Sequence, residues 1–417
     1  PQYDNAKRRH SPLPFPTDSK KKNILTVLIP LLVAAVVVAG FAVSGRIANN
    51  SNTPITNTVS DTKQAATTED TTSKTDAKVN IVAVGDNLIH KTIVAAGKKD
   101  DGSLDYNFMY ENISSYIKEA DIAVINQETM LGGSSFDYAG YPCFNTPWEV
   151  GEAAINAGFD LFTCATNHSM DVGTAGIEKE CEFFKKHPEV THIGTFTNQK
   201  DYDSITYMEK NGIKFAMLNY TYGTNGIPVP SDKSYCVALL TKDKVTKDIK
   251  EARKNADVVM VYPHWGTENS HEVNSQQEEY VKLFSDLGVD IVIGTHPHVL
   301  QPVEWVTNEK TGKKMLVYYS IGNFISHQIN LDQLCGGMAE ITVERQNGEI
   351  KITNAKLAPV CDYYKHKGDG YTFSVYKLSD YTDDIAKTSI KYERGATPSY
   401  FKKMVKNIIS EEFLDLE

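Results

Sequence analysis

One feature narrows the possible folds more than any other. From Val79 to Gly294, short β-branched apolar runs alternate with helical stretches. The runs are VNIVAV (79–84), DIAVIN (121–126), DLFTCA (160–165), DVVMVY (257–262) and DIVIG (290–294). Helices are expected near 107–119, 147–157, 174–186, 243–255 and 275–287. That rhythm predicts an α/β fold with a largely parallel inner sheet. A short strand near 191–194 and a hairpin turning on Asn211-Gly212 stand between its two halves. Beyond residue 300 the pattern changes to strands: PVEWV, a turn at Lys310-Thr311-Gly312, KMLVYYSIG, and the hairpin MAEITVERQNGEIKITNAKL. An α/β sheet followed by a mostly antiparallel one implies two packed sheets. Residues 361–417 are polar and Tyr-rich, with one amphipathic helix expected at 398–412.

The apolar runs end in polar residues suited to chemistry. VNIVAV leads into Gly85-Asp86-Asn87 with His90 beyond, DIAVI into Asn126-Gln127-Glu128, and DLFTCA into Thr166-Asn167-His168 with Asp171 following. DVVMVYP leads into His264-Trp265-Gly266 and Glu268, DIVIG into Thr295-His296-Pro297-His298, and LVYYSI into Gly322-Asn323-Phe324. In open α/β sheets ligands bind in the crevice outside the carboxyl ends of the strands. The series offers carboxylates, amides and at least four imidazoles, a mixed N/O donor set for transition metals. His296 and His298 lie one residue apart. In an extended segment i and i+2 point the same way, so both imidazoles are expected to reach one point. A lone H-x-H is weak, since surface loops carry it too; the ordered series of strand ends points to a site. Trp265 reads mainly as packing, and Asn323 as either a site residue or a strand-end cap. Glu268 and Asp171 read as partners that orient an imidazole.

The N-terminal region belongs to a different solvent. Ile24 to Ser44 is a nearly uncharged apolar run of 21 residues, and about 20 suffice to cross the hydrocarbon core as a helix. Lys7, Arg8, Arg9, Lys20, Lys21 and Lys22 precede it, whereas Arg46 is the one basic residue in the next 17. Positive residues stay inside, so residues 1–23 are expected to be a cytoplasmic tail and 24–44 a single-pass anchor. The main domain then lies extracellular. Residues 45–77 are rich in Ser, Thr, Asn and Asp and read as a disordered linker. The domain proper is expected over 78–360, with 361–417 an extension packing on it or trailing it.

Charge and cysteine usage exclude some classes. The chain holds 43 Lys and Arg against 53 Asp and Glu; six and two of these precede residue 45, so 37 and 51 follow, a net of −14. A surface that acidic argues against a nucleic-acid partner and against simple electrostatic capture of a polyanion. Six cysteines lie scattered without C-x-x-C pairs, which excludes a zinc ribbon. Cys164 and Cys181 read as reduced residues of the α/β core.

The series GDN, NQET, ATNHSMDVG, HWGTE, GTHPHVLQPVEW and YYSIGNF resembles the CapA family of capsule and poly-γ-glutamate synthesis proteins, related to calcineurin-like metallophosphatases. The resemblance covers roughly residues 79–360. It implies a four-layer α-β-β-α sandwich. It also implies a divalent metal site, Mn, Zn or Fe, with one or two ions. Against the phosphatase series D-x-H, G-D-x-x-D, G-N-H, H and G-H-x-H, Asp86 matches the first aspartate, while Leu88 stands at the histidine position. Asn126 and Glu128 stand in the bridging region, Asn167-His168 matches the N-H pair, His264 the lone histidine, and His296 with His298 the final pair. By this resemblance Asn167, His264 and His296 would hold one ion, Asp86 and His298 the other, with Glu128 near both. His168, assisted by Asp171, would be catalytic as proton donor or oxyanion stabiliser. Asn87, His90, Asn126, Trp265, Glu268 and Asn323 would stand behind these or touch substrate.

The resemblance further implies a membrane-anchored protein of poly-γ-glutamate or capsule production. Its partners would be that anionic polymer and a membrane synthase or export complex, and its activity a metal-dependent hydrolase or transferase. Two rivals stand beside this reading: a phosphoesterase acting on a phosphate ester, and a non-catalytic module that binds polymer or synthase. The topology is testable by itself. Protease added to intact cells should remove the folded domain; full protection would contradict the predicted orientation.

Overall fold

Strand β1 (Ala77–Asn87) is the axis of the first sheet, and the chain adds strands to both of its edges. In order there follow β2 (Ile122–Asn126), β3 (Leu161–Thr163), β4 (Thr191–Ile193), β5 (Thr206–Lys210), β6 (Ile213–Thr221) and β7 (Val258–His264). Then come β8 (Ile291–Ile293), β9 (Val303–Thr307), β10 (Lys314–Tyr318), β11 (Asn323–Ile325), β12 (Cys335–Gln346), β13 (Glu349–Lys367) and β14 (Gly370–Lys377). This computed structural model describes residues 75–417. The expected tail, the span at 24–44 and all but the last three residues of the linker therefore lie outside the described residues. Among the described residues no helix is long and apolar enough to cross a membrane.

The result is a mixed α/β fold with two sheets. One runs β14-β13-β12-β1-β2-β3-β4 with β11 beside β1, the other β5-β6-β7-β8-β10-β9. The sheets do not divide near residue 300 as the sequence suggests. β1 to β4 are parallel in the first sheet; β6, β7, β8 and β10 are parallel in the second. The late hairpin strands join the first sheet, because β12 lies antiparallel along β1 from Ala77 to Val84. Pairing on that edge then passes to β11, with Asp86 opposite Asn323. Gly85 marks the change: a Cβ there would sit 1.8 Å from the Gly322 carbonyl oxygen.

Period-2 alternation in the second sheet sorts its side chains. Phe215, Met217, Met260, Tyr262, Ile291, Ile293, Leu316 and Tyr318 share a core with the first sheet. Their neighbours Ala216, Leu218, Val259, Val261, Val292 and Val317 pack instead with Val245, Ile249, Tyr280 and Phe284. Those last four come from the helices Lys242–Asn255 and Ser275–Leu287. The second helix starts in a capping box on Asn274 and ends at Gly288 with φ 82°. The Asn211-Gly212 hairpin has φ 51° and 76°, as a tight two-residue turn between twisted strands requires. The helix expected at 107–119 is broken into the 3-10 turn Asn107–Met109 and the helix Ser114–Lys118. Between them Tyr110 turns inward to stack on Phe324.

Cys164 and Cys181 are buried free thiols, and burial pushes Cys181 up to about 12. The domain limit placed at 360 falls inside β13. Residues beyond it complete the sheet through β14, Leu414 bridges to Leu357, and the Tyr116 hydroxyl reaches Asp380 at 2.8 Å. A chain ending at Val360 would lose the last seven residues of β13, all of β14, and the buried Phe401 and Val405 that pack on the core. It should aggregate and lose cooperative thermal unfolding; a soluble, cooperatively melting product would show that 361–417 is dispensable to the core.

Candidate metal centre

The carboxyl ends of the parallel strands from both sheets meet in one place. Asp86 is the penultimate residue of β1, and its N–H donates to the Gly322 carbonyl at 3.0 Å. Asn126 ends β2; its amide donates to Asp86 Oδ1 at 2.8 Å and accepts from the Thr163 hydroxyl at 2.9 Å. It anchors Asp86 from behind. Glu128 follows β2, with its backbone carbonyl held by the Thr166 hydroxyl at 2.8 Å. Asn167 and His168 follow β3, His264 closes β7, and His296 and His298 follow β8; all of these are buried.

The two histidines of H-x-H converge for a reason other than the expected one. β8 ends at Ile293, so the segment is not extended. His296 has φ 99° and His298 φ 60°, both in the left-handed region that non-glycine residues avoid. Each such residue costs about 1–3 kcal/mol and persists where the surroundings impose it. Here the restraints are visible: Trp265 N–H donates to the Thr295 carbonyl at 3.1 Å and Asn269 N–H to the Pro297 carbonyl at 2.8 Å. The strained turn brings both rings to face Glu128's side of the crevice.

Glu128 is the hub. Oε1 lies 3.8 Å from His264 Nε2 and 3.9 Å from His168 Nε2, and Oε2 lies 3.7 Å from His298 Nδ1. All three separations exceed hydrogen-bond range, so both carboxylate oxygens are buried without a partner, as is His296 Nδ1. Two donor groups share Glu128: one with His264 and His296, the other with Asp86 and His298, each having its ligand atoms within 4.8 Å of one another. His264 Nε2 also meets Asn167 Oδ1 at 2.8 Å, while its Nδ1 faces the Thr295 hydroxyl at 2.9 Å. His298 Nδ1 lies 3.0 Å from Asp86 Oδ2 and 3.1 Å from Asn323 Oδ1.

The residues fit a divalent ion. A buried carboxylate without donors costs several kcal/mol, and a cation between it and neutral imidazoles removes that penalty. Donors on one ion, at bonds of about 2.0–2.2 Å, lie about 3–4 Å apart, close to the spacing here. The set is N and O only, which suits Zn, Mn or Fe. Electrostatics agree. Burial holds the Glu128 carboxyl well above its ordinary range; Asp86, Glu268 and Asp171 add repulsion, and His298 opposes it. Burial and neighbouring imidazoles hold His264 well below its usual value and bring His296 to about 3, so both are neutral donors. For His298 burial disfavours the imidazolium, but Glu128 and Asp86 outweigh it and lift it to about 9. A bound dication would displace that proton.

The remaining expected residues divide. His168 Nδ1 sits 2.7 Å from Asp171 Oδ2, which also accepts from the Phe144 N–H at 2.7 Å. This fixes the ring with Nε2 facing the crevice. Asn87 faces Gln127 and Tyr110, at 2.7 and 2.9 Å, rather than either donor group. His90 also stays outside both, packed edge-on against Phe144 with Nδ1 3.1 Å from the Leu88 carbonyl. Trp265 is fully buried, its indole donating to the Tyr319 carbonyl at 2.9 Å. Glu268 is exposed and hydrogen-bonds no imidazole; Thr295 plays that part for His264. Sequence reading gave no role to Thr295, to Tyr222, whose ring centroid lies 4.6 Å from that of His296 at a tilt of 48°, or to Phe144, edge-on to His168 at 4.7 Å. Only Thr295 carried a signal, its place beside the H-x-H.

A crevice of buried carboxylates and imidazoles at the ends of two sheets defines a protein with a candidate metal centre. The chain belongs to the family of the bacterial capsule synthesis protein PGA_cap, whose pattern matches residues 80–328. It is 27% identical over 259 residues to the capsule biosynthesis protein CapA of Bacillus anthracis, covering 60% of each chain. To the PGA biosynthesis protein CapA of Bacillus subtilis (strain 168) it is 31% identical over 181 residues, 41% of this chain and 43% of that one. The matches thus span 60% or less of these relatives' length. Among solved structures, the calcineurin-like phosphoesterase YfkN from Bacillus subtilis aligns with 79% of this chain and 100% of its own, at 15% identity and TM-score 0.40. A likeness that loose carries no functional assignment.

The hub makes a prediction about stability. Because burial raises the Glu128 carboxyl, its ionised form works against the fold, increasingly so as pH climbs above the ordinary carboxyl range. Glu128→Gln should therefore raise the stability of metal-free protein at neutral pH, by about 1 kcal/mol, while abolishing divalent-metal uptake. A lower melting temperature with metal uptake unchanged would contradict the assignment.

Proposed function

We propose that this chain is a membrane-anchored, extracytoplasmic protein of capsule or poly-γ-glutamate production with a metal-dependent hydrolase or transferase site acting on an amide or phosphate bond. The reading takes the two sheets and their flanking helices as the four-layer α-β-β-α sandwich of the metallophosphatases. The observation that carries it is Glu128: a buried carboxylate with neither oxygen partnered, shared by two groups of donors. Asn167, His264 and His296 would hold one ion, and Asp86 and His298 the other, with Glu128 reaching both. When bound, a divalent ion supplies Lewis acidity toward the scissile group and the positive charge that a domain of this acidity lacks.

The chain's own residues supply the proton chemistry. With Nδ1–H directed to Asp171, His168 presents Nε2 to the crevice as the atom that gives or takes a proton at the reacting group. Asp171 holds the tautomer, and its second contact, to the Phe144 N–H, holds Asp171. Phe144 and Tyr222 lie against His168 and His296 and form walls of the crevice. That oriented His168–Asp171 pair favours an enzyme over a pure binding module. An anionic polymer is the substrate class the family points to, and a membrane synthase or export complex the partner.

Metal analysis of the purified full chain and its variants tests the reading. His298→Ala should lower metal affinity, and Asp86→Ala should remove metal from its position. His168→Ala should keep the metal and lower turnover by about 10²–10⁴-fold. Metal-free protein that still supports polymer formation would instead favour the binding module.

A further inference from the structure

Glu268 lies outside the roles assigned above, and its surroundings single it out. It sits in the loop after β7, and that loop is laced to the His296-Pro297-His298 turn from both sides. Trp265 N–H bonds the Thr295 carbonyl at 3.1 Å, and Asn269 N–H bonds the Pro297 carbonyl at 2.8 Å. Asn269 itself takes φ 62°, and its side chain is gripped by the Gln333 amide. The position of Glu268 beside the two histidines is thus imposed by backbone bonds rather than left to a free loop. One carboxylate oxygen and one nitrogen from each of His296 and His298 all lie within 4.8 Å of one another. Glu268 is the exposed member of the three; the imidazoles are buried.

A further observation points to a ligand here. His296 Nδ1 is buried without a hydrogen-bond partner, on a ring that is itself 2% exposed. The group thus joins an unpartnered buried nitrogen to a carboxylate at the mouth of the crevice.

We propose that Glu268 is a metal ligand delivered from the solvent side, closing a donor set with His296 and His298. This rests on the metal reading above and adds to it a residue and a direction. Metal would enter past Glu268, the accessible carboxylate, before reaching the buried ones. Glu268 carries negative charge to the mouth, so the entrance favours the cation and disfavours a polyanion until metal is bound.

The test is Mn²⁺ titration of the full-length protein, followed by a spectroscopic check. Glu268→Gln should weaken at least one Mn²⁺ equivalent tenfold or more, and Glu268→Asp should fall between it and the wild type. The melting temperature of metal-free Glu268→Gln should match the wild type, which separates ligation from a folding defect. Loss of charge alone would also weaken Mn²⁺, so Glu268→Cys loaded with Cd²⁺ distinguishes the two. The Glu268→Cys chain and its parent both carry Cys143→Ser, which removes the exposed free thiol; a ligating position then gives a sulfur-to-cadmium charge-transfer band absent from the Cys143→Ser parent, and a merely nearby one does not. Absence of that band, or Mn²⁺ binding unchanged in Glu268→Gln, overturns the role of Glu268 and leaves the metal reading standing. A wild-type chain that takes up no Mn²⁺ overturns both.

Discussion

A carboxylate buried between two sheets with nothing to donate to it sets the terms for the rest of this structure. Proteins rarely leave such a group, because stripping water from an ionised carboxyl costs several kcal/mol unless hydrogen bonds or a cation replace it. Glu128 accepts no hydrogen bond, although four other polar side chains of the crevice do find partners: Asp86 in Asn126, Asn323 in Gln328, His168 in Asp171 and His264 in Thr295. Among the crevice's side chains Glu128 stands out because both of its oxygens lack a partner, and the unpartnered Nδ1 of His296 belongs to the same donor group. That pairing of open carboxylate and open imidazole fits a divalent ion.

The architecture follows from bringing donors from two sheets to that point. The parallel strands of each sheet deliver residues at their carboxyl ends, so β1, β2 and β3 supply Asp86, Glu128, Asn167 and His168, while β7 and β8 supply His264, His296 and His298. Close approach has local costs. Gly85 must lack a Cβ because the Gly322 carbonyl occupies its place. His296 and His298 must adopt left-handed backbone that hydrogen bonds from the neighbouring loop and from Asp86 help to hold. Strain of that kind, gathered in one turn next to unpartnered donors, is what a preorganised site looks like before its ligand is considered.

Much of this was legible in the sequence, because it rests on local patterns. Buried parallel strands read as short β-branched runs, and the helix at 275–287 carries its own capping box and C-terminal glycine. The polar residues at the strand ends could be named for the same reason. What was not legible depends on contacts between distant segments. Nothing in MAEITVERQNGEIKITNAKL says that it will lie along β1 instead of founding a second sheet, and nothing marks residue 360 as the middle of a strand. The two histidines of H-x-H do converge, but through a strained turn that depends on the neighbouring loop and not through alternation along a strand. Phe144 and Tyr222 gave no signal, since an aromatic beside a site looks like any other in one dimension.

The most direct measurement is anomalous X-ray scattering from crystals of the full-length protein grown with Mn²⁺. The account predicts anomalous density touching Glu128, on the side of His264 and His296, on the side of Asp86 and His298, or on both. Well-ordered crystals in Mn²⁺ whose Glu128 oxygens meet only water or protein, with no anomalous peak in the crevice, would contradict it.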